Sequence, residues 1–407
     1  MTSPSRYRPR ILFVSEAVTL AHLARPLALA SALAEDEYDV HLAVGDAFET
    51  VVKQSAITRH TITNLSRTEL IKRVRRGAPL FDRATLEREV VEDQALIRAL
   101  QPDLIIGDFR LSLGVSARIC RVPYAGISNA YWSPSVASWY EVPPTLFTRV
   151  CPLPLAQFFF DHAQTHIFAH HTRPYNQVRA HYGLPPIPPT LTHLYTDADH
   201  MLYADPPDLF RGPQYLANEH FLGFMPWSLE APHPSTIEFP NTHEPLCYVA
   251  LGSSGAHHLT EKIIQAFGAL PVRALIGRDA HLVDVPLSPN VRLTPLLSAA
   301  TIAEKADLLI INGGSTMTSH AITAGKPIIG ISDNIDALLN MQRIVASGIG
   351  LSFRTDRFTS RMFADGVMRI LTDPTFRTAA QLLQRSAAQH DFRRNIRSFI
   401  SSVTGIQ

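Results

Sequence analysis

Short apolar runs alternate with longer amphipathic stretches through the first half of the chain. "RILFVSE" at 10–16, "YDVHLAV" at 38–44, "DLIIGD" at 103–108 and "YAGIS" at 124–128 are apolar runs bounded by polar residues, the signature of strands covered on both faces. Between them, the segments from His22, near 86–100 and after Asp108 carry apolar residues at helical spacing. Strand, helix and strand in that order predict a parallel sheet layered with helices. From 133 to 190 the pattern loosens into aromatic and proline-rich sequence, "YWSPSVASWYEVPPTLF" and "LPPIPPT", an insertion of the kind that shapes a pocket. Strands resume at "HMLYADP" and "HFLGFM".

Residues 226–245, "PWSLEAPHPSTIEFPNTHEP", have no period and read as a linker between a first domain, 1–225, and a second. The second series runs "LCYVALG", "VRALIGR", "VRLTPL", "DLLIING" and "KPIIGIS", with helices between them, one from Ser315 and one from about Ile335. The fold class is therefore α/β, two doubly wound Rossmann-like domains. Their carboxyl strand ends face a central cleft, where such sheets take ligands.

Composition narrows the class. A chain of 407 residues exceeds one ordinary core, which fits the two domains. Lys plus Arg number 37 against 36 Asp plus Glu, so no overall field draws nucleic acid or an anionic membrane. Cys120, Cys151 and Cys247 stand far apart with no CxxC pair, as in a reducing cytoplasm. The basic start "MTSPSRYRPR" meets only "ILFV", too short for a signal core or a membrane span, and predicts a cytoplasmic protein.

The chemistry is most legible at "ADLLIINGGSTMTSHAITAGKP", 306–327. A strand ends in Asn312-Gly313-Gly314, and Ser315 and Thr316 open a helix. Backbone N–H groups and the helix dipole thus converge where a phosphate can sit. "LGSSGAHH" offers a second such turn at Ser253, Ser254 and Gly255, and two anion-ready turns suit a diphosphate. The plainer alternative is that both are only tight strand-to-helix connections.

At this point the chain resembles the family 1 glycosyltransferases of the GT-B fold, including the bacterial macrolide type, over nearly its whole length. The motifs that carry the resemblance are Asn312-Gly313-Gly314 for the family's His-Gly-Gly, Ala324-Gly325-Lys326-Pro327, Asp336-Ala337 for its Asp-Gln, Asn340-Met341-Gln342-Arg343, "YVALGSSG", and "AHLARPLALASAL" for its Gly-His segment. The resemblance implies a metal-independent, inverting transfer of a sugar from a UDP- or dTDP-sugar to a small aromatic or apolar acceptor, with no cofactor beyond that co-substrate. It implies His22 as the general base, since an ordinary imidazole titrates at about 6.5 and so can accept a proton near neutrality. Asp108 is implied as the carboxylate that orients it; its alternative is capping the helix that follows. Donor contacts are implied at Ser253, Ser254, Gly255, Leu296, Leu297, Asn312, Gly313, Gly314, Ser315, Thr316, Asp333 and Asp336. The final segment, 388–407, is implied to cross back to the first domain.

Departures from the family pattern bear on the donor. Asn312 can donate a hydrogen bond but brings no positive charge to a leaving diphosphate, and Ala337 removes one sugar contact. The aromatic insertion offers Trp132, Trp139, Tyr140, Phe147 and Phe159 as acceptor walls. His162, His166 and His170 share a helical spacing, but no carboxylate or cysteine completes a metal set, so no metal site is assigned. The basic run Arg67, Lys72, Arg73, Arg75 and Arg76 reads as a solvated helix face, with a seat for an anionic acceptor or a lipid headgroup as the alternative. Two other readings share this sequence: a nucleotide-sugar-binding auxiliary protein without turnover, and a nucleotide-sugar epimerase. Hydrogen-bond reach between His22 and Asp108 separates them from the transferase.

Overall fold

The apolar runs form strands because each is bounded by a turn and too short for a stable helix. The computed structural model describes residues 7–34, 38–46, 57–136, 139–210, 215–227, 243–251, 257–277, 286–295 and 297–405. Its first half contains β1 (Arg10–Ser15), β2 (Asp39–Val44), β3 (Thr58–Thr61), β4 (Leu104–Asp108), β5 (Tyr124–Ser128), β6 (His200–Tyr203) and β7 (Glu219–Phe221). These pair in the order β3-β2-β1-β4-β5-β6-β7, every described ladder parallel. The order reverses between β1 and β4, so the chain leaves their carboxyl ends in opposite directions and opens a crevice there. The register brings Ser15 level with Asp108 across that switch.

The helices of this half are α1 (Leu20–Ala34), α2 (Arg67–Arg75), α3 (Arg83–Leu100), α4 (Leu113–Cys120), α5 (Leu146–Val150), α6 (Leu153–His181) and α7 (Leu191–Tyr195). The loose 133–190 insertion is in fact dominated by α6, a helix of 29 residues. Pro154 sits in its first turn, where a missing N–H costs nothing. Pro174 lies inside it and is tolerated because Phe168, Tyr175 and Val178 bury the same side of the helix.

The second half carries β8 (Leu246–Ala250), β9 (Arg273–Gly277), β10 (Val291–Thr294), β11 (Leu308–Ile311), β12 (Ile328–Ser332) and β13 (Gly350–Arg354), ordered β10-β9-β8-β11-β12-β13. The last strand did not stand out in the sequence. Helices α8 (Thr260–Gly268), α9 (Ala299–Lys305), α10 (Ser315–Thr323), α11 (Ile335–Ala346), α12 (Ser360–Thr372) and α13 (Pro374–Ala387) cover this sheet. The final helix, α14 (Phe392–Thr404), returns to the first half: Phe392, Ile396, Phe399 and Ile400 are buried in the cluster that holds Leu23, Leu27 and Ala30 of α1. Arg397 Nη2 donates to the Ala32 carbonyl at 2.9 Å.

The insertion is also tied to the second half. Arg354, at the end of β13, donates to the Val142 carbonyl at 2.7 Å, and Arg357 donates to the carbonyls of Thr148 and Cys151 at 2.6 and 2.5 Å. Most of the expected linker, 228–242, lies outside the described residues. No described helix is long and apolar enough to cross a membrane.

Candidate active site

His22 is the third residue of α1, directly beyond the carboxyl end of β1. Proline one turn later fixes its backbone environment. Pro26 has no N–H to give the carbonyl four residues back, and the Ser15 hydroxyl at the end of β1 donates to that His22 carbonyl at 2.8 Å instead. The strand end is thereby pinned to the turn that carries the imidazole.

Asp108 ends β4 and is fully buried, whereas the His22 side chain is 22% exposed. His22 Nδ1 lies 2.8 Å from Asp108 Oδ1. Asp108 does not cap the helix after it, whose cap position is Ser112. The next residue, Phe109, adopts φ +60° and lays its ring on the imidazole, centroids 4.4 Å apart and 13° from parallel. A left-handed aromatic is strained by about 1–3 kcal/mol and persists only where its surroundings over-determine it.

The over-determination is visible on both sides of Phe109. Asp108 is held by His22 and Arg25. Arg110 is fully buried and donates to Glu16 at 2.8 Å, to Glu92 at 2.9 Å, to Asp93 at 3.0 Å and to the Thr63 carbonyl at 2.6 Å. Glu89 completes this cluster 3.8 Å from Arg110. Burial, reinforced by the carboxylates of Glu16 and Asp93 against the opposing pull of Arg110, pushes the Glu89 carboxyl up to about 8.

Aromatic rings extend from the imidazole toward the second domain. Phe109 meets Phe81 at 5.9 Å and Tyr195 at 5.7 Å, and Tyr195 meets Trp132 at 4.8 Å. A cavity lined in part by Leu80, Phe81, Leu111, His171, Tyr175 and Tyr195 adjoins these rings. Burial, with His170 alongside, lowers the His171 pKa. Of the expected acceptor walls, Trp132 stands in this ring series. Tyr140 packs on Phe168 of α6 at 4.9 Å. Trp139, Phe147 and Phe159 are 57%, 49% and 52% exposed, and the ring contacts of Phe147 and Phe159 are with each other and with Phe158. Phe81, Phe109 and Tyr195 went unforeseen, since no local pattern marks a ring that meets His22 only through the fold.

Across the cleft, Asn312-Gly313-Gly314 leaves β11 and α10 begins at Ser315. Gly313 has φ +83°, and a side-chain carbon there would meet Ser332 Oγ at 2.9 Å and Ala337 Cβ at 3.0 Å. Buried Asn340 braces the turn, donating to the Gly313 carbonyl at 2.7 Å and to Thr318 Oγ1 at 2.9 Å. The turn offers fewer amides than its sequence implied, because Asn312 Oδ1 accepts from the Gly314 N–H at 3.0 Å. The Asn312 amide group and the half-buried Ser315 and Thr316 stand at the helix start, where N–H groups are free of helical partners.

Asp336 lies in the first turn of α11, and Asn334 caps that helix through the Ala337 N–H at 3.0 Å while donating to Asp333 Oδ1 at 2.6 Å. Trp132 Nε1, from the 3-10 turn after β5, donates to Asp336 Oδ1 at 2.8 Å. That bond joins the ring series of the first half to α11 of the second. Leu297 is buried in the core rather than presented to the cleft, and Ser253, Ser254, Gly255 and Leu296 lie outside the described residues.

Among the described residues no group of three His, Cys, Asp or Glu side chains is arranged to hold a metal ion. His162 Nδ1 pairs with the Phe158 carbonyl at 2.7 Å. In α2, Lys72 and Arg73 face Glu69 at 3.6 and 3.1 Å, and Arg73 also reaches Asp82 at 2.7 Å, so part of the basic run is neutralised locally.

With this geometry in place, residues 270–396 match the family described as Erythromycin biosynthesis protein CIII-like, C-terminal domain. The chain is 34% identical over 383 residues to a PGL/p-HBAD biosynthesis glycosyltransferase of Mycobacterium tuberculosis, covering 93% of this chain and 89% of that one. A PGL/p-HBAD biosynthesis rhamnosyltransferase of Mycobacterium bovis is 34% identical over 377 residues, covering 92% and 84%. Among solved structures, a spinosyn rhamnosyltransferase complexed with thymidine diphosphate superposes with a TM-score of 0.67 at 16% identity, over 96% of this chain and 99% of that one. At that identity the likeness is one of fold.

Proposed function

The chain belongs to the family 1 glycosyltransferases of the GT-B fold, and on that premise we propose that it moves a sugar from a UDP- or dTDP-sugar to an aromatic or apolar acceptor with inversion, His22 acting as base. Sugar transfer itself follows from membership; the donor, the acceptor and the mechanism are the proposal. The observation that carries it is the pairing of His22 Nδ1 with buried Asp108 at 2.8 Å, under a ring series that leads through Trp132 to the donor-side helix.

With Nδ1 engaged by Asp108, Nε2 has no partner among the described residues and is the nitrogen that takes a proton. The acceptor's oxygen, nitrogen or sulfur loses its proton to Nε2 as it attacks the anomeric carbon. The bond from that carbon to the diphosphate breaks, and the electron pair leaves with the diphosphate. A single displacement inverts the centre. Helix-start amides, the Ser315 and Thr316 hydroxyls and the Asn312 amide supply the stabilisation for the leaving charge, without a metal or a further cofactor. Thymidine diphosphate in a protein of the same fold and a rhamnosyltransferase among the relatives favour a dTDP-linked deoxysugar over a UDP-hexose. Ala337 and an Asp336 already bonded to an indole agree with a sugar that offers few hydroxyls.

The test is isothermal titration of UDP, dTDP, GDP and ADP, with Gly314→Trp as a blocked turn. Selective binding of one nucleotide, abolished in Gly314→Trp, supports the donor site; absence of binding to all four overturns it. His22→Ala should keep that affinity and lose about 10²–10⁴ in kcat.

A further inference from the structure

Arg25 follows His22 by one turn of α1, and its guanidinium is the most heavily engaged group beside the pair. Nε and Nη2 donate to the two oxygens of Asp108 at 2.7 and 2.8 Å, and Nη1 donates to Asn129 Oδ1 at 2.7 Å. Asn129 donates onward to Asp205 Oδ2 at 3.1 Å, and the same oxygen accepts the Ala130 N–H at 2.8 Å. The arginine is thus fixed from β4 and from the loop after β5 at once, with its side chain 12% exposed.

These contacts assign hydrogens. A buried carboxylate forked by a guanidinium only accepts. His22 Nδ1 must therefore donate to Oδ1, and Arg25 Nη2, 3.2 Å from Nδ1, bonds Oδ1 rather than the ring. A ring with a single proton therefore carries it on Nδ1 and keeps the Nε2 lone pair open. An unforked buried carboxylate would instead draw a second proton onto the ring, leaving no base.

We infer that Arg25 is a positioning residue for the base: it sets the plane of Asp108 and offsets its charge, so that Asp108 holds His22 as a neutral Nδ1–H imidazole with Nε2 open. This rests on His22 as base. The charged groups facing the ring are Asp108 from β4 and Arg25 from α1; behind Arg25 stand Asp205 and Tyr131, and beyond Trp132 stands Asp336. A lysine cannot substitute, since one ammonium cannot span both carboxylate oxygens and Asn129.

The experiment compares Arg25→Met, Arg25→Lys and Asn129→Ala with the parent protein by imidazole ¹⁵N NMR of His22, the pH profile of kcat, nucleotide affinity and thermal melting. In Arg25→Met the Nδ1–H tautomer gives way to doubly protonated ring at neutral pH and the acid limb of kcat moves up by about 1–2 pH units. Nucleotide affinity stays within about twofold. Arg25→Lys restores stability but only part of the tautomer signature. Asn129→Ala, which removes no charge, shifts both readouts in the same direction by less and serves if Arg25→Met does not fold. An unchanged His22 tautomer and acid limb in folded Arg25→Met or Asn129→Ala overturns the inference. Retention of full activity in His22→Ala would instead remove the base assignment, while the tautomer signal still decides whether Arg25 sets the ring.

Discussion

His22 and Asp108 are 86 residues apart in sequence and 2.8 Å apart in space, and each is held by neighbours whose own chemistry is constrained. Pro26 frees the His22 carbonyl for Ser15, Arg25 forks Asp108, and Arg110, next in the chain after the strained Phe109, is anchored by Glu16, Glu92 and Asp93. The Arg110 cluster yields a prediction at this scale. The Glu89 carboxyl is raised to about 8 from an ordinary 4.5, so the folded state holds its proton more tightly than the unfolded chain. The stabilisation from that proton is full below about 4.5 and is lost as pH rises through about 8. Glu89→Gln should therefore melt close to the parent near pH 4 and increasingly above it as pH rises from about 4.5 to 9. Equal slopes of melting temperature against pH in the two proteins would place the titration elsewhere.

His22, Asp108, Trp132, Asn312 and Asp336 each lie near the junction of a parallel strand end and the helix that follows it. This recurs at β1, β4, β5, β11 and β12 because a strand end frees the backbone and a helix start aims N–H groups and the dipole into the same space. The β11 turn is the most tightly built of these junctions. Gly313→Ala forces a left-handed alanine against Ser332 and Ala337, at a cost of roughly 1–2 kcal/mol in backbone conformation before any contact term. The expected result is a drop of a few degrees in melting temperature with about tenfold weaker nucleotide binding, read by titration. Undiminished affinity would detach the nucleotide site from this turn.

At the scale of the whole molecule, the two halves are joined by contacts far from the connecting segment in sequence. Trp132 bonds Asp336, Arg354 and Arg357 grip the insertion, and α14 lies on α1. Four large apolar side chains of α14 are buried, each worth about 1.5–3 kcal/mol by area, so together they rival the about 5–15 kcal/mol that holds a domain folded. A chain ending before Phe392 should aggregate or lose cooperative melting, which scanning calorimetry reads directly. A truncated protein that melts like the parent would mean that α14 is dispensable to the first half.

By itself the sequence determined the two strand–helix series, the glycine turn after β11, the helix opening near His22 and the carboxylate ending β4. Those are local facts: apolar periodicity, a glycine pair and a polar residue at a strand end are all written within a few residues of one another. The returning helix was legible through resemblance, and its first buried residue is Phe392 rather than one nearer 388. The 29-residue α6 was masked by its prolines and aromatics, and β13 had no flanking pattern distinct enough to mark it. Only the tertiary structure decided that Asp108 meets His22, that Arg25 forks the same carboxylate, that Phe109 is twisted onto the imidazole, and that Trp132 reaches Asp336. A buried charge must find its partner across the fold, because leaving it unpaired costs more than any local preference supplies, and the partner's place along the chain is set by strand order rather than by distance in sequence.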